Sequence, residues 1–213
     1  MEIVWLGHSC FRLKGSDLTI VTDPFDDSLG YKPGGLKADV VTVSHQSPHH
    51  SYVERVEGIR RVLSSPGEYE ISDELFLGVK TFRDAERGKE RGVNTVYRIT
   101  IDKLNVCHLG DIGHVPTSDH VSAIGDVDIL MLPVGGGKTL TPSQASETVG
   151  LIEPKVVIPM HYKTDAVAED IEPVDAFLKE LGVKEVEPLV SLSATRTSMG
   201  DGPQVVLLEY RRA

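Results

Sequence analysis

The sequence predicts a mixed α/β fold, in which helices pack against sheets that combine antiparallel and parallel strands. Short apolar and β-branched runs dominate its first half, whereas a strand, a helix and another strand follow one another in its second half. This change of pattern is typical of mixed sheets covered by helices. No linker, charge block or repeat divides the 213 residues, so we expect one domain over residues 1–213.

The first seven predicted strands are separated by turn signals such as KGSD and YKPGG. Each strand is a run of apolar and β-branched residues that is too short for a typical helix. The strands are Ile3–Leu6, Cys10–Leu13, Leu18–Thr22, Val40–Ser44, Leu75–Val79, Thr95–Ile101 and Leu104–Leu109. Short turns between consecutive strands favour antiparallel pairing.

The second half contains a strand–helix–strand unit. Val127–Val134 and Lys155–Met160 are continuous apolar strands. Between them, Thr141 and Gln144 form a capping box, and Pro142 stands at the first helical position. A helix that connects two strands of one sheet in this way makes those strands parallel.

The last two predicted elements are a helix over Glu172–Leu181 and a strand over Gln204–Tyr210. Gly182 ends the helix, because glycine adopts the left-handed conformation of a helix terminus without strain.

Composition argues against several classes of protein. The net charge of −10 opposes a broad basic face, so nucleic acid is not an expected partner. Cys10 and Cys107 lie in or beside strand-like stretches and are interpreted as buried free thiols of a reducing cytosol. Met1 leads directly into the strand EIVWLG, and the longest apolar run is too short for a membrane span, so we expect a cytoplasmic protein without membrane association.

Side chains that commonly bind metals follow three of the strands. His45 follows VVTVS, Asp111 follows NVCHLG, and His161 follows VVIPM. Sites in α/β sheets collect beyond the carboxyl ends of strands, where loops converge. One such residue alone is more often a turn or cap residue, but three of them, with His49 and His50 nearby, predict a metal site.

Six segments occur in a characteristic order: WLGHSCFRL, IVTDPF, VVTVSHQSPHH, NVCHLGDIGH, VDILMLPVGGG and PKVVIPMHYKT. In this order they resemble motifs of the metallo-β-lactamase superfamily, in its lactonase-like branch of predicted Zn-dependent hydrolases. The resemblance runs from the first residues to about Thr164. It implies a four-layer αββα sandwich with a metal centre at one edge of the two sheets. It also implies hydrolysis of a small ester, lactone, amide or phosphoester.

The family signature H-x-H-x-D-H is degenerate in this sequence. It falls on His45, Ser47, His49 and His50, so that a serine replaces the second histidine and a histidine replaces the aspartate. The isolated histidine of the family aligns with Arg83. One of the two metal sites of the family would then consist of an imidazole, a hydroxyl and a guanidinium, which do not hold a divalent cation.

The other metal site keeps a complete set of ligands. The resemblance assigns to it His49, His50, Asp111 and His161. Three imidazoles and a carboxylate suit zinc, or alternatively iron or manganese. We therefore expect a reduced, mononuclear centre with one ion per chain.

The same resemblance suggests catalytic roles. Arg83 would stand near the position of the lost cation and hold a carboxylate, a phosphate or an oxyanion. Asp111 would bind the ion through one oxygen and a water through the other. His45 would act as a general base if its pKa stays at about 6 to 7.

Four further residues are expected around the ligands. His8 would orient a ligand or contact the substrate, and Ser47 occupies the place of a lost ligand. Asp23 either backs the site or only caps the turn before Pro24. His108 is either a ligand or a core histidine with its own hydrogen bonds.

The segment VGGGKT is not a phosphate-binding loop, because the first glycine of that motif is replaced by Leu132. We interpret its glycines as allowing the backbone to pass close to the metal crevice.

The expected function is hydrolysis of a small-molecule, anionic ester, lactone or phosphoester by a mononuclear metal centre. The alternative is a non-catalytic protein of the same fold that binds a ligand or a partner, since a closed shell of three histidines and an aspartate leaves no position for water. A phosphodiesterase acting on nucleic acid fits neither the acidic composition nor the broken signature. The sequence leaves a homo-oligomer open.

Overall fold

The structure, a computed structural model, describes residues 1–200 and 202–211. Its strands form two large sheets and a small two-stranded one. The strands are β1 (Glu2–Gly7), β2 (Cys10–Lys14), β3 (Thr19–Thr22), β4 (Leu36–Lys37), β5 (Val40–Thr42), β6 (Val56–Glu57), β7 (Arg61–Leu63), β8 (Gly67–Ile71), β9 (Glu74–Phe82), β10 (Val93–Ile101), β11 (Leu104–His108), β12 (Ile129–Pro133), β13 (Val156–Met160), β14 (Leu192–Ser193) and β15 (Gln204–Val205).

Each large sheet combines both pairing directions. The first has the order β14-β1-β2-β3-β5-β7, and the second has the order β15-β13-β12-β11-β10-β9-β8. In the first sheet, β14 to β3 pair antiparallel, and β3, β5 and β7 pair parallel. In the second sheet, β8 to β11 pair antiparallel, and β11, β12, β13 and β15 pair parallel. The predicted mixture of strand directions is confirmed.

The main hydrophobic core lies between the two sheets. Trp5 and Phe11 of the first sheet share one buried cluster with Ile99 and Val106 of the second. Because side chains alternate along a strand, Leu6 points to the opposite face of the first sheet, where it joins a second cluster. The two clusters make the first sheet apolar on both faces.

Helices cover the outer face of the second sheet. They are α1 (Ser118–Ile124), α2 (Pro142–Ile152) and α3 (Val174–Glu180), with α1 against β9 and α2 against β12 and α3. Over the outer face of the first sheet, the covering layer contains the 3-10 turns Asp27–Leu29 and Val53–Arg55 and the pair β4–β6. The four-layer sandwich implied by the resemblance is confirmed, with this layer of turns on one side.

Helix α2 begins where the sequence predicts. The Thr141 hydroxyl accepts a hydrogen bond from the Gln144 amide, and the Gln144 side chain accepts one from the Thr141 amide. Pro142 follows at the first helical position. The capping box therefore forms as expected from local sequence alone.

Two predicted boundaries at the end of the chain are wrong. Helix α3 starts at Val174 rather than Glu172, because the backbone of Glu172 is bonded to Lys163 and Gly135. Strand β15 stops at Val205 rather than at Tyr210. The following segment leaves the second sheet and crosses to the first, where the Arg211 amide donates to the Trp5 carbonyl.

Both cysteines are buried and free, as predicted. Burial raises the pKa of the Cys107 thiol to about 12, so this thiol is not reactive. Among the described residues, none of the helices is long and apolar enough to cross a membrane.

Candidate metal centre

Polar side chains converge at one edge of the two sheets, as the strand order predicts. His8 lies in the turn between β1 and β2, whereas Asp23, His45, Asp111 and His161 follow β3, β5, β11 and β13. All five are buried. His8, Asp23 and His161 adopt φ values of 52°, 40° and 50°. Non-glycine residues hold this conformation only where the surrounding structure enforces it, which is frequent at functional sites.

The Asp23 carboxylate fixes the orientation of His50. Asp23 is fully buried, and its Oδ2 accepts a hydrogen bond from Nδ1 of His50 at 2.8 Å. Burial opposes ionisation of Asp23, but the bond from His50 and its charge outweigh this and lower the pKa of the carboxyl. With Nδ1 donating to Asp23, the unprotonated Nε2 of His50 is left to face the centre of the cluster. Asp23 therefore backs the site.

The neighbouring Ser44 fixes the orientation of His45. The Ser44 hydroxyl has one proton, which it donates to Asp23 Oδ2 at 2.5 Å. Its oxygen must therefore accept from Nδ1 of His45, 3.1 Å away. His45 is left with a bare Nε2, which is buried, has no hydrogen-bond partner and lies 3.9 Å from Asp111 Oδ2.

The two oxygens of Asp111 have different surroundings. Oδ2 accepts two hydrogen bonds from the Arg83 guanidinium, from Nε at 3.1 Å and from Nη2 at 2.9 Å. Oδ1 is buried without a hydrogen-bond partner, at 3.2 Å from His161 Nδ1 and 3.8 Å from His50 Nε2. Arg83 thus neutralises one side of the carboxylate and leaves the other side facing imidazole nitrogens.

Five side chains form two overlapping groups that could hold a metal ion. One group is His8, His50 and His161, the other is His45, His50 and Asp111, and within each group the ligand atoms lie within 4.8 Å of one another. Nε2 of His8 lies 3.1 Å from Nε2 of His50. Both groups share His50.

Neighbouring donor atoms lie near the spacing of a metal shell. Zinc–nitrogen distances of about 2.0–2.1 Å place neighbouring ligand atoms roughly 3.3 Å apart. The consecutive separations from His161 through Asp111 and His50 to His8 are 3.2, 3.8 and 3.1 Å. His161 Nδ1 and Asp111 Oδ1 are also buried without hydrogen-bond partners. Buried polar atoms are rarely left in this state, and a cation between them would satisfy both.

The pKa values of Asp111, His161 and His8 are shifted because these ionisable groups are buried close together. Burial favours neutral Asp111, but His161 and His50 outweigh it and hold the pKa of Asp111 well below its usual range. Burial disfavours charged His161, but Asp111 and Glu169 outweigh it and raise the pKa of His161 to about 9. Burial and the neighbouring histidines lower the pKa of His8.

Comparison with known proteins identifies the family. The family model of the β-lactamase superfamily domain matches residues 2–161. The chain belongs to the metallo-β-lactamase superfamily. The prediction from the ordered motifs is therefore confirmed.

Several relatives and solved structures are similar to this chain. A proposed Zn-dependent hydrolase of the metallo-β-lactamase superfamily from Thermotoga maritima is 38% identical, with a TM-score of 0.80 and 97% of each chain covered. A UPF0173 metal-dependent hydrolase from Thermoplasma acidophilum is 29% identical over 88% of this chain and 95% of its own length. A UPF0173 protein from Pyrococcus furiosus is 31% identical over 89% and 95%. The prediction of an enzyme of this superfamily is confirmed at this level.

Two residues of the signature, His49 and Ser47, lie outside both groups of candidate ligands. His49, expected as a ligand, is half-buried and belongs to neither group of candidate ligands among the described residues. Its Nε2 lies 3.1 Å from the Ser28 hydroxyl, which in turn donates to Asp26. Ser47 lines the cavity and its hydroxyl accepts from the His49 amide. The tight turn that places His50 inside directs His49 to the cavity wall.

The condition for His45 as a general base is not met. Burial and the neighbouring His50 lower the pKa of His45 to about 3, despite the nearby Asp111. A neutral imidazole with this pKa is a weak base at neutral pH.

His108 is a core histidine with satisfied hydrogen bonds. Its Nε2 donates to the Ser9 carbonyl at 2.8 Å, and its Nδ1 accepts from the Gly110 amide at 3.2 Å. Both ring nitrogens are therefore occupied. His108 connects the turn that carries His8 to the strand that precedes Asp111.

A cavity of about 470 Å³ opens above the donor cluster. Its wall includes Arg83, Lys138, Glu169, Asp170 and Ile171. Of these, only Arg83 was expected at the site. Lys138 belongs to the segment VGGGKT, whose backbone was expected near the crevice, whereas Glu169, Asp170 and Ile171 come from a loop with no motif, so only its position after strand β13 indicates proximity to the site.

Proposed function

We propose that the protein is a mononuclear metallohydrolase whose single ion is held by His50, Asp111 and His161. A zinc, iron or manganese ion bound there supplies a Lewis acid and lowers the pKa of a coordinated water to about 7. The observation that carries this proposal is the position of Asp111 Oδ1, which lies 3.8 Å from His50 Nε2 and 3.2 Å from His161 Nδ1 and, like His161 Nδ1, is buried without a hydrogen-bond partner. His49, the fourth ligand expected from the signature, is not a ligand in this proposal, because it belongs to neither group of candidate ligands among the described residues.

His8 lies beside the proposed ligands. Its ring lies 4.0 Å from the His161 ring and 4.8 Å from the His50 ring, measured between centroids. A catalytic zinc site would keep one position open for water, so His8 would contact that water or the substrate rather than bind the ion. Burial and the neighbouring histidines lower its pKa, so the imidazole is neutral and offers a nitrogen as a hydrogen-bond partner.

Arg83 takes the place of the second cation of the dinuclear relatives. A guanidinium has five N–H groups. Three of them are donated to Asp111 and to the Arg91 carbonyl, which leaves two for a substrate oxygen. This arrangement favours an anionic group on the substrate and stabilises an oxyanion during hydrolysis.

The cavity favours a small, polar, anionic ester, lactone or phosphoester. Ile171 is the single apolar side chain among the described residues that line it. A long acyl chain would therefore remain largely in water, where its burial gains nothing. Lys138 lies at the rim without an ion-pair partner among residues 1–200 and 202–211, and it adds a second positive charge for an anionic substrate.

The test is hydrolysis of a panel of short-chain esters, lactones and phosphoesters by the chelator-treated protein and by the same protein restored with zinc, iron or manganese. We expect activity only after restoration, and loss of that activity in Arg83→Met with the metal retained. Equal activity before and after restoration on every active substrate would contradict the proposal.

A second function rests on the short His8–His50 distance. If His8 completes a four-coordinate shell, the ion is structural and the protein binds a ligand without hydrolysing it. X-ray absorption of the zinc form distinguishes the two. Three nitrogen or oxygen ligands from protein plus one water support the hydrolase, and an unchanged shell on addition of azide supports the closed centre.

A further inference from the structure

The loop that follows β13 forms a strap beside the donor cluster. We define the strap as residues 163–173, between His161 and helix α3. Its ends are joined, since the Lys163 amide donates to the Glu172 carbonyl and the Glu172 amide donates to the Gly135 carbonyl, at 2.9 and 2.8 Å. The Lys163 ammonium donates to the Glu169 carbonyl at 2.6 Å. The strap is therefore held at three points, one of which is Glu169 itself.

Glu169 faces the side of His161 that points away from Asp111. Oε2 of Glu169 lies 3.7 Å from Nε2 of His161, whereas Nδ1 of the same ring lies 3.2 Å from Asp111 Oδ1. The two ring nitrogens thus face two different carboxylates. Only Nδ1 lies among the donor atoms of the proposed centre.

We propose that Glu169 is a positioning residue that holds the Nε2 proton of His161 and so presents the Nδ1 lone pair to the metal. This inference rests on the proposed function, because it needs an ion bound at His161. A carboxylate on the outer nitrogen of a ligating histidine fixes its tautomer and makes it a stronger ligand. Asp23 does the same for His50 through the opposite pair of nitrogens.

The geometry of the strap supports the assignment. The Lys163 ammonium, which donates to the Glu169 carbonyl at 2.6 Å, holds Glu169 where its carboxylate faces Nε2 of His161. Glu169 is 41% exposed, whereas Asp23 is fully buried, so the effect of Glu169 on metal affinity should be smaller than that of Asp23.

The experiment measures the zinc dissociation constant by competition with a chromophoric chelator for the full-length wild type, Glu169→Ala, Glu169→Gln and Glu172→Gln. Glu172→Gln is the matched control, because it removes one negative charge from the same strap at an exposed side chain with no ion pair among the described residues. Circular dichroism checks that all four proteins are folded. The ¹⁵N shifts of His161 in the zinc-bound forms report which ring nitrogen carries the proton.

We expect Glu169→Ala to bind zinc about 10-fold more weakly than the wild type, at the lower end of the range for such partners. Glu169→Gln should lose less, since its amide oxygen still accepts a hydrogen bond, and Glu172→Gln should match the wild type. The ¹⁵N shifts should show a protonated Nε2 in the wild type and a less populated one in Glu169→Ala.

Two results would overturn the inference in distinguishable ways. Equal zinc affinity and equal ¹⁵N shifts in the wild type and Glu169→Ala would refute the role of Glu169 while leaving the metal centre intact. Absence of zinc binding by the wild type would refute the metal centre, and the role of Glu169 with it. Equal weakening in Glu169→Gln and Glu172→Gln would assign the effect to net charge and also refute the positioning role.

Discussion

The Arg83–Asp111 pair carries the proposal that a guanidinium takes the place of a second cation in this site. Arg83→Met keeps most of the length of the side chain and removes its charge. Asp111 Oδ2 then loses hydrogen bonds of 3.1 and 2.9 Å in a site where the carboxylate is almost fully buried. The substitution therefore leaves a buried carboxylate with no hydrogen bond to either oxygen.

The magnitude follows from these contacts. A hydrogen bond to a charged group contributes about 1.5–3 kcal/mol, and breaking a buried ion pair costs about 3–5 kcal/mol. The Arg83 side chain is 21% exposed, and both bonds reach the same oxygen, so we take the lower end, about 3 kcal/mol. For a chain of this size, this corresponds to a fall in the thermal midpoint of roughly 6–12 °C.

The assay is urea and thermal unfolding of the metal-free protein, with Lys89→Met as the control from the same loop. Lys89 is exposed and has no ion-pair partner among the described residues, so its replacement should change the free energy of unfolding by less than about 0.5 kcal/mol. If Arg83→Met lost no more stability than Lys89→Met, the guanidinium would not be neutralising Asp111, and its role as a replacement for the cation would be refuted.

Three further predictions follow from the geometry. His49→Ala should keep the metal content of the wild type, as measured by elemental analysis, because His49 lies outside both donor groups; loss of the ion would restore His49 as a ligand. Gly135→Ala should lower the free energy of unfolding by about 1–3 kcal/mol in a urea titration, because its Cβ would lie 2.5 Å from the His161 carbonyl. Asp84 accepts four backbone N–H bonds, which lower the pKa of its carboxyl. The stabilisation of the folded state by Asp84 is therefore present above the pKa of the unfolded state, and it is lost as the pH falls through the lower pKa of the folded state. The difference in the free energy of unfolding between the wild type and Asp84→Asn should therefore shrink in acid. The range from about pH 7 to about pH 3 spans the reference pKa of about 3.9, and a constant difference across it would contradict this prediction.

Local signals predicted a large part of the fold. The capping box at Thr141 and Gln144 fixes the start of α2 with neighbouring residues only, and the apolar runs of β12 and β13 need a buried sheet whatever surrounds them. The ends of the strands also predicted where Asp111 and His161 would meet. Boundaries set by distant contacts were missed, as at Glu172, whose backbone bonds to Gly135 rather than to the helix.

The same distinction applies to the site. Linear spacing places His49 beside His50, but the turn between Ser47 and Ser51 buries one ring and leaves the other half-exposed. The low pKa of His45 depends on burial and on His50, neither of which has a signal in the sequence around His45. Glu169 reaches His161 through a loop that only the folded strap brings back to the sheet.

The most direct test of the mononuclear centre is the metal content per chain, measured by elemental analysis on protein purified without chelator or immobilised nickel. We expect about one zinc, iron or manganese ion per chain, lost in His50→Ala and retained in Arg83→Met. Two ions per chain would show that Arg83 does not exclude the second cation. No ion in any preparation, even after incubation with zinc, would contradict the metal centre.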